Sequence, residues 1–321
     1  MSELQKFIFD GLPVRGHLVR LTDGWRELLK RRADADQAWP APVRDVMGEL
    51  TVAAVLMQAN IKFDGVLILQ VFGDGPVKLA VAEVQADLSF RTTAKVVGSV
   101  APQDGFVQVL NRHGAGRCAI TLDPGAAQPS RQPYQGVVAL SDAHHLALPD
   151  VSTVLEHYMR QSEQLETRLM LAADANVAVG LLIQRLPVEG AANLAASQGA
   201  DDIASAEAFN RIAHLTATLT RAELLSLDTA TLLRRLYWEE PLRRFATEGA
   251  APRFECRCSR DRVGRMMQGL GRVEVDDILA EQGRVEVACE FCARQYRFDS
   301  VDVGELFTPP RDQIPPTAAI N

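Results

Sequence analysis

The sequence predicts an α+β fold, in which a mixed sheet-and-helix amino-terminal domain is followed by a helical linker and a small, cysteine-rich carboxy-terminal module. Strand-like segments in the first half pair as hairpins, with few long crossover helices between them, which favours α+β over a doubly wound parallel sheet. The predicted amino-terminal domain is followed by a segment that contains few large apolar residues. Four of the five cysteines lie in the last quarter.

Composition and charge restrict the class of protein. The 321 residues are 47% hydrophobic and 23% charged, as expected for a globular protein with one sizeable core and a smaller module. A formal net charge of −7 argues against nucleic acid or an anionic membrane as a general partner. The sequence shows no secretory signal and no membrane span, so we expect a cytoplasmic protein. Clustered cysteines in that compartment hold a metal or sense oxidants more often than they form permanent disulfides.

The amino-terminal domain is predicted to span residues 1–186. A helix is predicted over residues 42–60 from apolar residues at helical spacing, namely Val46, Leu50, Ala53, Ala54 and Met57. Asp150 is expected to cap a helix from Val151 to about Gln164. Gly73-Asp-Gly75 is a hairpin turn between two strands. The predicted strands are residues 14–21, 65–72, 76–84, 106–110, 117–122, 167–172 and 176–186.

Residues 187–245 are predicted to form a linker, flexible over residues 187–200 and then folded into short amphipathic helices. Thr220 and Glu223 match a capping box, and Asp228 can cap the next helix. The predicted apolar faces consist of Phe209, Ile212, Leu215 and Leu219, and then of Leu232, Leu233, Leu236 and Tyr237. Two interpretations stay open: the helices pack permanently on a core, or they dock conditionally over an apolar surface.

The cysteine cluster consists of Cys256-x-Cys258 and, thirty residues later, Cys289-x-x-Cys292. Four thiolates fit a tetrahedral Zn²⁺ with every position filled by protein, which leaves no open position for a catalytic zinc. Iron–sulfur signatures usually space cysteines differently. The fold class therefore includes a small zinc-binding module, residues 246–308, and residues 309–321 are expected to be a disordered tail.

Spacing alone does not decide between a structural zinc ribbon and a thiol redox switch. Each half of the cluster is a local pair, so disulfides could form with little movement once the metal is lost. Nearby positive charge favours thiolate over thiol, and the first pair is accompanied by Arg257, Arg260, Arg262 and Arg265. Oxidation that expels zinc should unfold so small a module. The remaining cysteine, Cys118, is expected to be a small buried hydrophobic residue in a strand.

Rival functions are a constitutive zinc-ribbon protein that binds RNA or ribosomes, and a thiol-disulfide oxidoreductase. Residues 253–298 contain nine arginines and eight acidic residues, a near-neutral balance that supplies little phosphate neutralisation. The sequence has no phosphate-binding loop and no dinucleotide fingerprint, so we expect no ATPase and no enzyme.

Several segments together resemble one known family over nearly the whole chain. Around the cysteines the matching residues are Phe254-x-Cys256-x-Cys258-Ser259-x-x-Arg262, Ile278-Leu-Ala-Glu-Gln-Gly283 and Cys289-x-x-Cys292-x-x-x-Tyr296-x-Phe298. Upstream they are Val14-Arg-Gly16, Gly73-Asp-Gly-Pro76, Tyr134-Gln-Gly136, Tyr158-Met-Arg-Gln-Ser-Glu-Gln-Leu165, Leu224-Leu-Ser-Leu227 and Leu233-Arg-Arg-Leu-Tyr237-Trp-Glu-Glu240. The sequence resembles the 33 kDa chaperonin family, the redox-regulated heat-shock chaperones of bacteria.

That resemblance implies a mechanism. In the reduced state Cys256, Cys258, Cys289 and Cys292 would hold one Zn²⁺ per chain and keep the protein inactive. Oxidants would form the disulfides Cys256–Cys258 and Cys289–Cys292, release zinc, and loosen the module and the linker. The protein would then hold unfolding client proteins without ATP, as a homodimer, with neither nucleic acid nor membrane as a partner.

Overall fold

The computed structural model describes residues 2–125, 131–187, 198–246 and 251–308. The chain divides into two compact units, residues 1–255 and 256–321, and each is described by itself. The predicted division at residues 186, 245 and 308 stays a prediction. The tail predicted for residues 309–321 lies outside the described residues.

The described chain forms thirteen strands and ten helices. The strands are β1 (Glu3–Phe9), β2 (Val14–Leu21), β3 (Val66–Phe72), β4 (Val77–Gln85), β5 (Ser89–Val96), β6 (Arg117–Asp123), β7 (Tyr134–Ala139), β8 (Thr167–Ala173), β9 (Ala178–Arg185), β10 (Leu242–Arg244), β11 (Arg253–Phe254), β12 (Val285–Ala288) and β13 (Gln295–Phe298). The helices are α1 (Asp23–Asp34), α2 (Ala41–Asn60), α3 (Phe106–Leu110), α4 (Val151–Ser162), α5 (Gln198–Ala217), α6 (Arg221–Ser226), α7 (Thr229–Tyr237), α8 (Arg260–Leu270), α9 (Arg272–Gln282) and α10 (Ser300–Phe307).

The first unit contains two sheets. The first sheet has the strand order β10-β1-β2-β9-β8 and is antiparallel throughout. The second sheet has the order β11-β5-β4-β3-β6-β7, and only its edge pair β11-β5 is parallel. Mixed sheets joined by hairpins, together with helices, confirm the α+β class. Among the described residues, no helix is both long enough and apolar enough to cross a bilayer.

Helix α2 forms the centre of the core, because it contacts strands of both sheets. The residues predicted for its apolar face are buried, and so are residues on its other sides, such as Val52, Val55 and Leu56. A helix that is apolar all round is expected to be buried all round. The one-face pattern found in the sequence therefore understated how deeply this helix lies.

The opposite face of the first sheet is covered by α5, α6 and α7. The sheet contributes apolar side chains that point away from α2, among them Phe7, Phe9, Val14, Leu18, Val179, Leu181 and Ile183. The helices contribute Phe209, Ile212, Leu219, Leu224, Leu232, Leu233, Leu236 and Tyr237. We call this second core the covered face.

Most predicted elements are confirmed within a few residues at their ends, including the hairpin at Gly73-Asp-Gly75 and both predicted caps, Asp150 and Asp228. The capping box of Thr220 and Glu223 is also present. Helix α5 has 20 residues, so it is not short, and it starts at Gln198, inside the run predicted to be flexible. The rest of that run, residues 188–197, lies outside the described residues.

The strand predicted over residues 106–110 is wrong, since these residues form the short helix α3. Its buried side chains, Phe106, Val109 and Leu110, follow the i, i+3, i+4 spacing of a helix. The Gly105 N–H donates a hydrogen bond to the Gln108 side chain at 3.0 Å, so this backbone donor at the start of the helix has a partner. Strand β6 accordingly pairs with β3 and β7 instead.

Candidate metal centre

The second unit has a small core around two helices, a hairpin and a terminal helix. Its buried apolar side chains are Met267, Val275, Val285, Tyr296, Phe298 and Val303. A core of this size supplies little stability by itself, and natural modules of this kind usually add a metal or disulfides. The fold of this unit therefore depends on what its cysteines bind.

Cys289 and Cys292 lie in the tight turn that joins β12 to β13. The turn is closed by two backbone bonds, from Cys289 N to the Arg294 carbonyl at 2.9 Å and from Ala293 N to the Cys289 carbonyl at 2.8 Å. Ala293 adopts a left-handed φ of 59°, a conformation that is uncommon outside glycine. This geometry turns the chain sharply enough for both sulfurs to point to the same place.

Cys256 and Cys258 reach the same place from an irregular segment between β11 and α8. The segment ends at Ser259, whose hydroxyl accepts from Arg262 N at 3.2 Å and caps α8. The pair is thus fixed by the start of a helix, although an extended strand could also have placed residues i and i+2 on one side.

The four cysteine sulfurs all lie within 4.8 Å of one another. Two of these separations are 3.6 Å, between Cys256 and Cys289, and 3.5 Å, between Cys258 and Cys292. Zinc–sulfur bonds of about 2.3 Å in a tetrahedron place sulfurs roughly 3.8 Å apart, whereas a disulfide bond is about 2.05 Å long. The cluster therefore has the dimensions of a closed four-thiolate metal site in the reduced state, and its soft donors suit zinc.

The thiols also perturb one another. Hydrogen bonds from the thiols of Cys256 and Cys292 lower the pKa of Cys289, and the bond to Cys289 is the main cause that raises the pKa of Cys256. Four thiols at this spacing cannot all ionise without a cation between them, because like charges this close repel strongly. A bound divalent cation would remove that conflict.

Two side chains of the second unit were not identified as site residues from the sequence chemistry. The Tyr296 hydroxyl donates to the Cys258 sulfur at 3.0 Å. Arg260 pairs with Asp302 at 2.6 Å and lies over the Phe298 ring at 4.1 Å. Arg260 therefore joins α10 to β13 through these two contacts, and its predicted effect on the first cysteine pair stays a prediction.

Cys118 lies in β6 and is 1% exposed, which confirms the prediction of a small buried residue. Burial raises the pKa of its thiol to about 12. Since the thiolate is the reactive form, Cys118 is chemically inert in the folded protein.

Comparison with known proteins places the chain in a family. The family model described as Hsp33 protein matches residues 2–299. A protein of Chromobacterium violaceum named 33 kDa chaperonin is 42% identical over 306 residues, which cover 95% of this chain and 94% of the relative. A protein of the same name from Methylobacillus flagellatus is 38% identical over 308 residues, covering 96% and 94%.

A solved structure shows the same fold. The crystal structure of the 33 kDa chaperonin (heat shock protein 33 homolog) of Thermotoga maritima matches with a TM-score of 0.73 at 19% identity, covering 95% of this chain and 98% of that one. The family model spans almost the whole chain and the two curated relatives match 95% and 96% of it, so the chain belongs to the Hsp33 family.

Proposed function

We propose that this protein is an oxidation-activated, ATP-independent holdase that binds unfolding proteins and prevents their aggregation. Membership of a family whose curated relatives are named chaperonin supports the chaperone class. The observation that carries the switch is the cluster of four cysteine sulfurs within 4.8 Å, in the small second unit.

In the reduced state we infer that Cys256, Cys258, Cys289 and Cys292 hold one Zn²⁺. Peroxide, as a two-electron oxidant, would convert the thiolates of Cys256 and Cys258 to one disulfide; the O–O bond of peroxide would break, and with the two electrons of the thiolates and two protons from solvent it would leave as two water molecules. A second equivalent would do the same for Cys289 and Cys292. Each disulfide removes two thiolate ligands, so the zinc leaves. Because the binding free energy of zinc is folding free energy in a unit of this size, the second unit then unfolds.

The covered face is the surface that we infer to bind clients. Its sheet side chains, such as Phe9, Leu18 and Leu181, are buried only because α5, α6 and α7 lie over them. Helices of 6 and 9 residues, such as α6 and α7, are marginal without a surface to dock on. The chain that follows α7 contributes β10 to one sheet and β11 to the other before it enters the second unit. Unfolding of the second unit would remove a restraint on this segment and allow the helices to leave.

We further infer that the protein works in the cytoplasm, that its oxidised form is a homodimer, and that it has no enzymatic reaction. Its partners would be partly unfolded proteins, with neither nucleic acid nor membrane involved.

The test is to treat the reduced, zinc-loaded protein with peroxide under mild heat. Zinc release would be followed with a chromophoric chelator, together with thiol loss and suppression of aggregation of an unrelated unfolding protein. We expect about one zinc per chain to leave as four thiols disappear, with protection appearing at the same time. The matched control is Cys118→Ala, which should behave like the wild type. Zinc release without protection would contradict the holdase proposal and leave a structural zinc ribbon.

A further inference from the structure

A cavity of about 310 Å³ lies in the first unit, on the side of the first sheet that faces α2. Its floor is formed by nearly inaccessible aliphatic side chains, namely Leu67, Ile120, Leu169 and Leu182. Met57 and Met159 form part of its wall. Its lining shares no residue with the cysteine cluster or with the covered face, and its volume is within the range of about 300–1,000 Å³ that is usual for small-molecule sites.

A guanidinium group stands at this apolar cavity without an acidic partner. Arg15 donates from Nε at 3.2 Å and from Nη2 at 2.5 Å to the amide oxygen of Gln184, and it makes no ion pair with any carboxylate of the described residues. The same Gln184 oxygen accepts from Asn60 Nδ2 at 2.9 Å. Asn60 also lines the cavity, and its own Oδ1 is buried without a hydrogen-bond partner in the described chain.

The carboxylate of Glu163 also lines the cavity, and one of its oxygens, Oε1, accepts two hydrogen bonds from phenols. It accepts from the hydroxyl of Tyr158 at 2.7 Å and from that of Tyr134 at 3.2 Å. Glu163 is therefore held at the rim by two phenols, and no ion pair joins it to Arg15 in the part of the chain that the structure describes.

Further positive charge lies beside Arg15. Lys6 donates from Nζ to the Ala59 carbonyl at 2.9 Å, again to a neutral acceptor. His17 lies opposite Lys6 in the register of β1 and β2, and burial, followed by the charges of Lys6 and Arg15, lowers its pKa to about 3. His17 is thus neutral, and neither the half-buried Arg15 nor the exposed Lys6 forms an ion pair among the described residues.

Three of the segments on which the family resemblance rests meet at this cavity, although they are far apart in sequence. They are 14–16, 134–136 and 158–165, which contribute Arg15, Tyr134 and the pair Tyr158 and Glu163. The Tyr158 ring can lie over β7 only because residue 136 is glycine, since a Cβ there would be 2.6 Å from Tyr158 Cε2. None of these segments has a role in the zinc chemistry.

We propose that this cavity binds a small amphiphilic carboxylate, whose carboxylate accepts hydrogen bonds from Arg15 and whose apolar body packs on Leu67, Ile120 and Leu182. The Nε and Nη2 groups of Arg15 already donate to Gln184, and the remaining Nη1/Nη2 edge of the planar guanidinium matches a carboxylate in shape and charge. The aliphatic floor favours a hydrocarbon body, which gains free energy by leaving water. Arg15 lines the cavity and forms no ion pair among the described residues, which favours an anion over a neutral amphiphile as the ligand.

The proposal is tested on the reduced, zinc-loaded full chain, so that the result is independent of the redox switch. Octanoate is titrated into protein labelled with ¹³C at the methionine methyl groups, and 1-octanol serves as the uncharged ligand of equal chain length. We expect saturable shifts at Met57 and Met159, no shift at Met267 in the core of the second unit, and at least tenfold weaker binding of 1-octanol.

The matched variants are Arg15→Met and, as control, Arg112→Met, an exposed arginine of the same unit. Arg15→Met should weaken octanoate binding at least tenfold and leave 1-octanol binding unchanged, whereas the control should bind both like the wild type. The proposal is overturned if octanoate shifts other methionines instead, if both ligands bind equally, or if no shift occurs at millimolar octanoate. The methionine methyl shifts of the wild type with octanoate and 1-octanol test the proposal even if Arg15→Met does not fold.

Discussion

The phenolic hydroxyl of Tyr296 donates a hydrogen bond to the sulfur of Cys258 across 3.0 Å, while the ring of the same tyrosine is buried in the core of the second unit. One side chain therefore joins the candidate metal centre to the packing around it. An outer group that bonds to a ligand atom orients that atom and tunes its charge.

Tyr296→Phe should keep the core and lose only this bond. Outer partners of metal ligands typically change metal affinity by about 10–100-fold, and a single neutral donor to sulfur belongs at the low end, so we expect about tenfold weaker zinc binding. Competition with a chromophoric chelator measures it, and zinc should also leave faster in peroxide. Tyr134→Phe, which removes a phenol from the first unit, is the control. An unchanged zinc affinity would show that the bond has no role in holding the metal.

Arg20→Met should loosen the covered face without touching zinc. The Arg20 guanidinium donates to the carbonyl oxygens of Leu224, Leu225 and Leu227, at the end of α6. Leaving such groups unsatisfied costs about 1–3 kcal/mol. We expect the reduced variant to bind more hydrophobic dye and to be cut faster by protease within residues 198–237, with zinc content unchanged. Arg26→Met, on an exposed helix face, should bind dye like the wild type. Equal dye binding by both variants would contradict the anchoring role.

Glu49→Gln should change how stability depends on pH. Burial raises the pKa of Glu49 to about 7, against the attraction of Arg221, whose guanidinium lies 3.0 Å from its carboxylate. A raised folded-state pKa means that the native state holds a proton that the unfolded chain has already released. Stability from this group is therefore complete below about pH 4.5 and is lost as pH rises towards 7.

The measurement is urea unfolding of wild type and Glu49→Gln at several pH values from 5 to 8. The wild type should lose stability relative to the variant as pH rises through this window, by no more than about 3 kcal/mol, since one pKa unit corresponds to about 1.4 kcal/mol. Taking the difference between the two proteins cancels the contributions of histidines and zinc. Parallel pH profiles would mean that Glu49 ionises normally.

Cys118 should stay unmodified while the four clustered cysteines react. After zinc is removed by a chelator at pH 7.5, iodoacetamide should alkylate Cys256, Cys258, Cys289 and Cys292, whereas Cys118 reacts only in denaturant, because burial raises its pKa to about 12. Peptide mass spectrometry gives the occupancy at each position. Alkylation of Cys118 at the same rate as the others would show that β6 opens easily in the native state.

The sequence predicted best where a single local rule decides the structure. The caps at Asp150 and Asp228 depend on neighbouring residues alone, and the turn at Gly73-Asp-Gly75 is indicated by its own residue types; all three are confirmed. The strand predicted for the residues of α3 is wrong because no local rule decides the structure of this segment. A five-residue apolar run fits both periods, and its helical state is decided by where Phe106 and Leu110 must be buried in the tertiary fold.

The candidate site divides in the same way. The four cysteines are found from their spacing, because two local pairs must meet at one ion. The roles of Tyr296 and Arg260 depend on contacts over 38 and 42 residues of chain, respectively to Cys258 and Asp302. Rules based on the spacing of residues within one short segment do not predict contacts between residues that are so far apart in sequence. The cavity lined by Arg15 is formed by segments that are still farther apart in sequence, so it is identified only from the tertiary fold.

The strand β10 forms the edge of the first sheet and prevents other chains from pairing with β1. β1 pairs with β10 at Phe7–Arg244, Ile8–Arg243 and Phe9–Leu242, so the outer backbone edge of β1 is covered over its last three residues. If β10 leaves together with the helices, β1 becomes an open edge directly beside the apolar side chains of Phe7 and Phe9. An extended segment of another chain could then add to the sheet by backbone bonds alone, whatever its sequence. In the proposed holdase, binding of clients of different sequence would thus come from main-chain geometry, with the phenylalanines adding affinity.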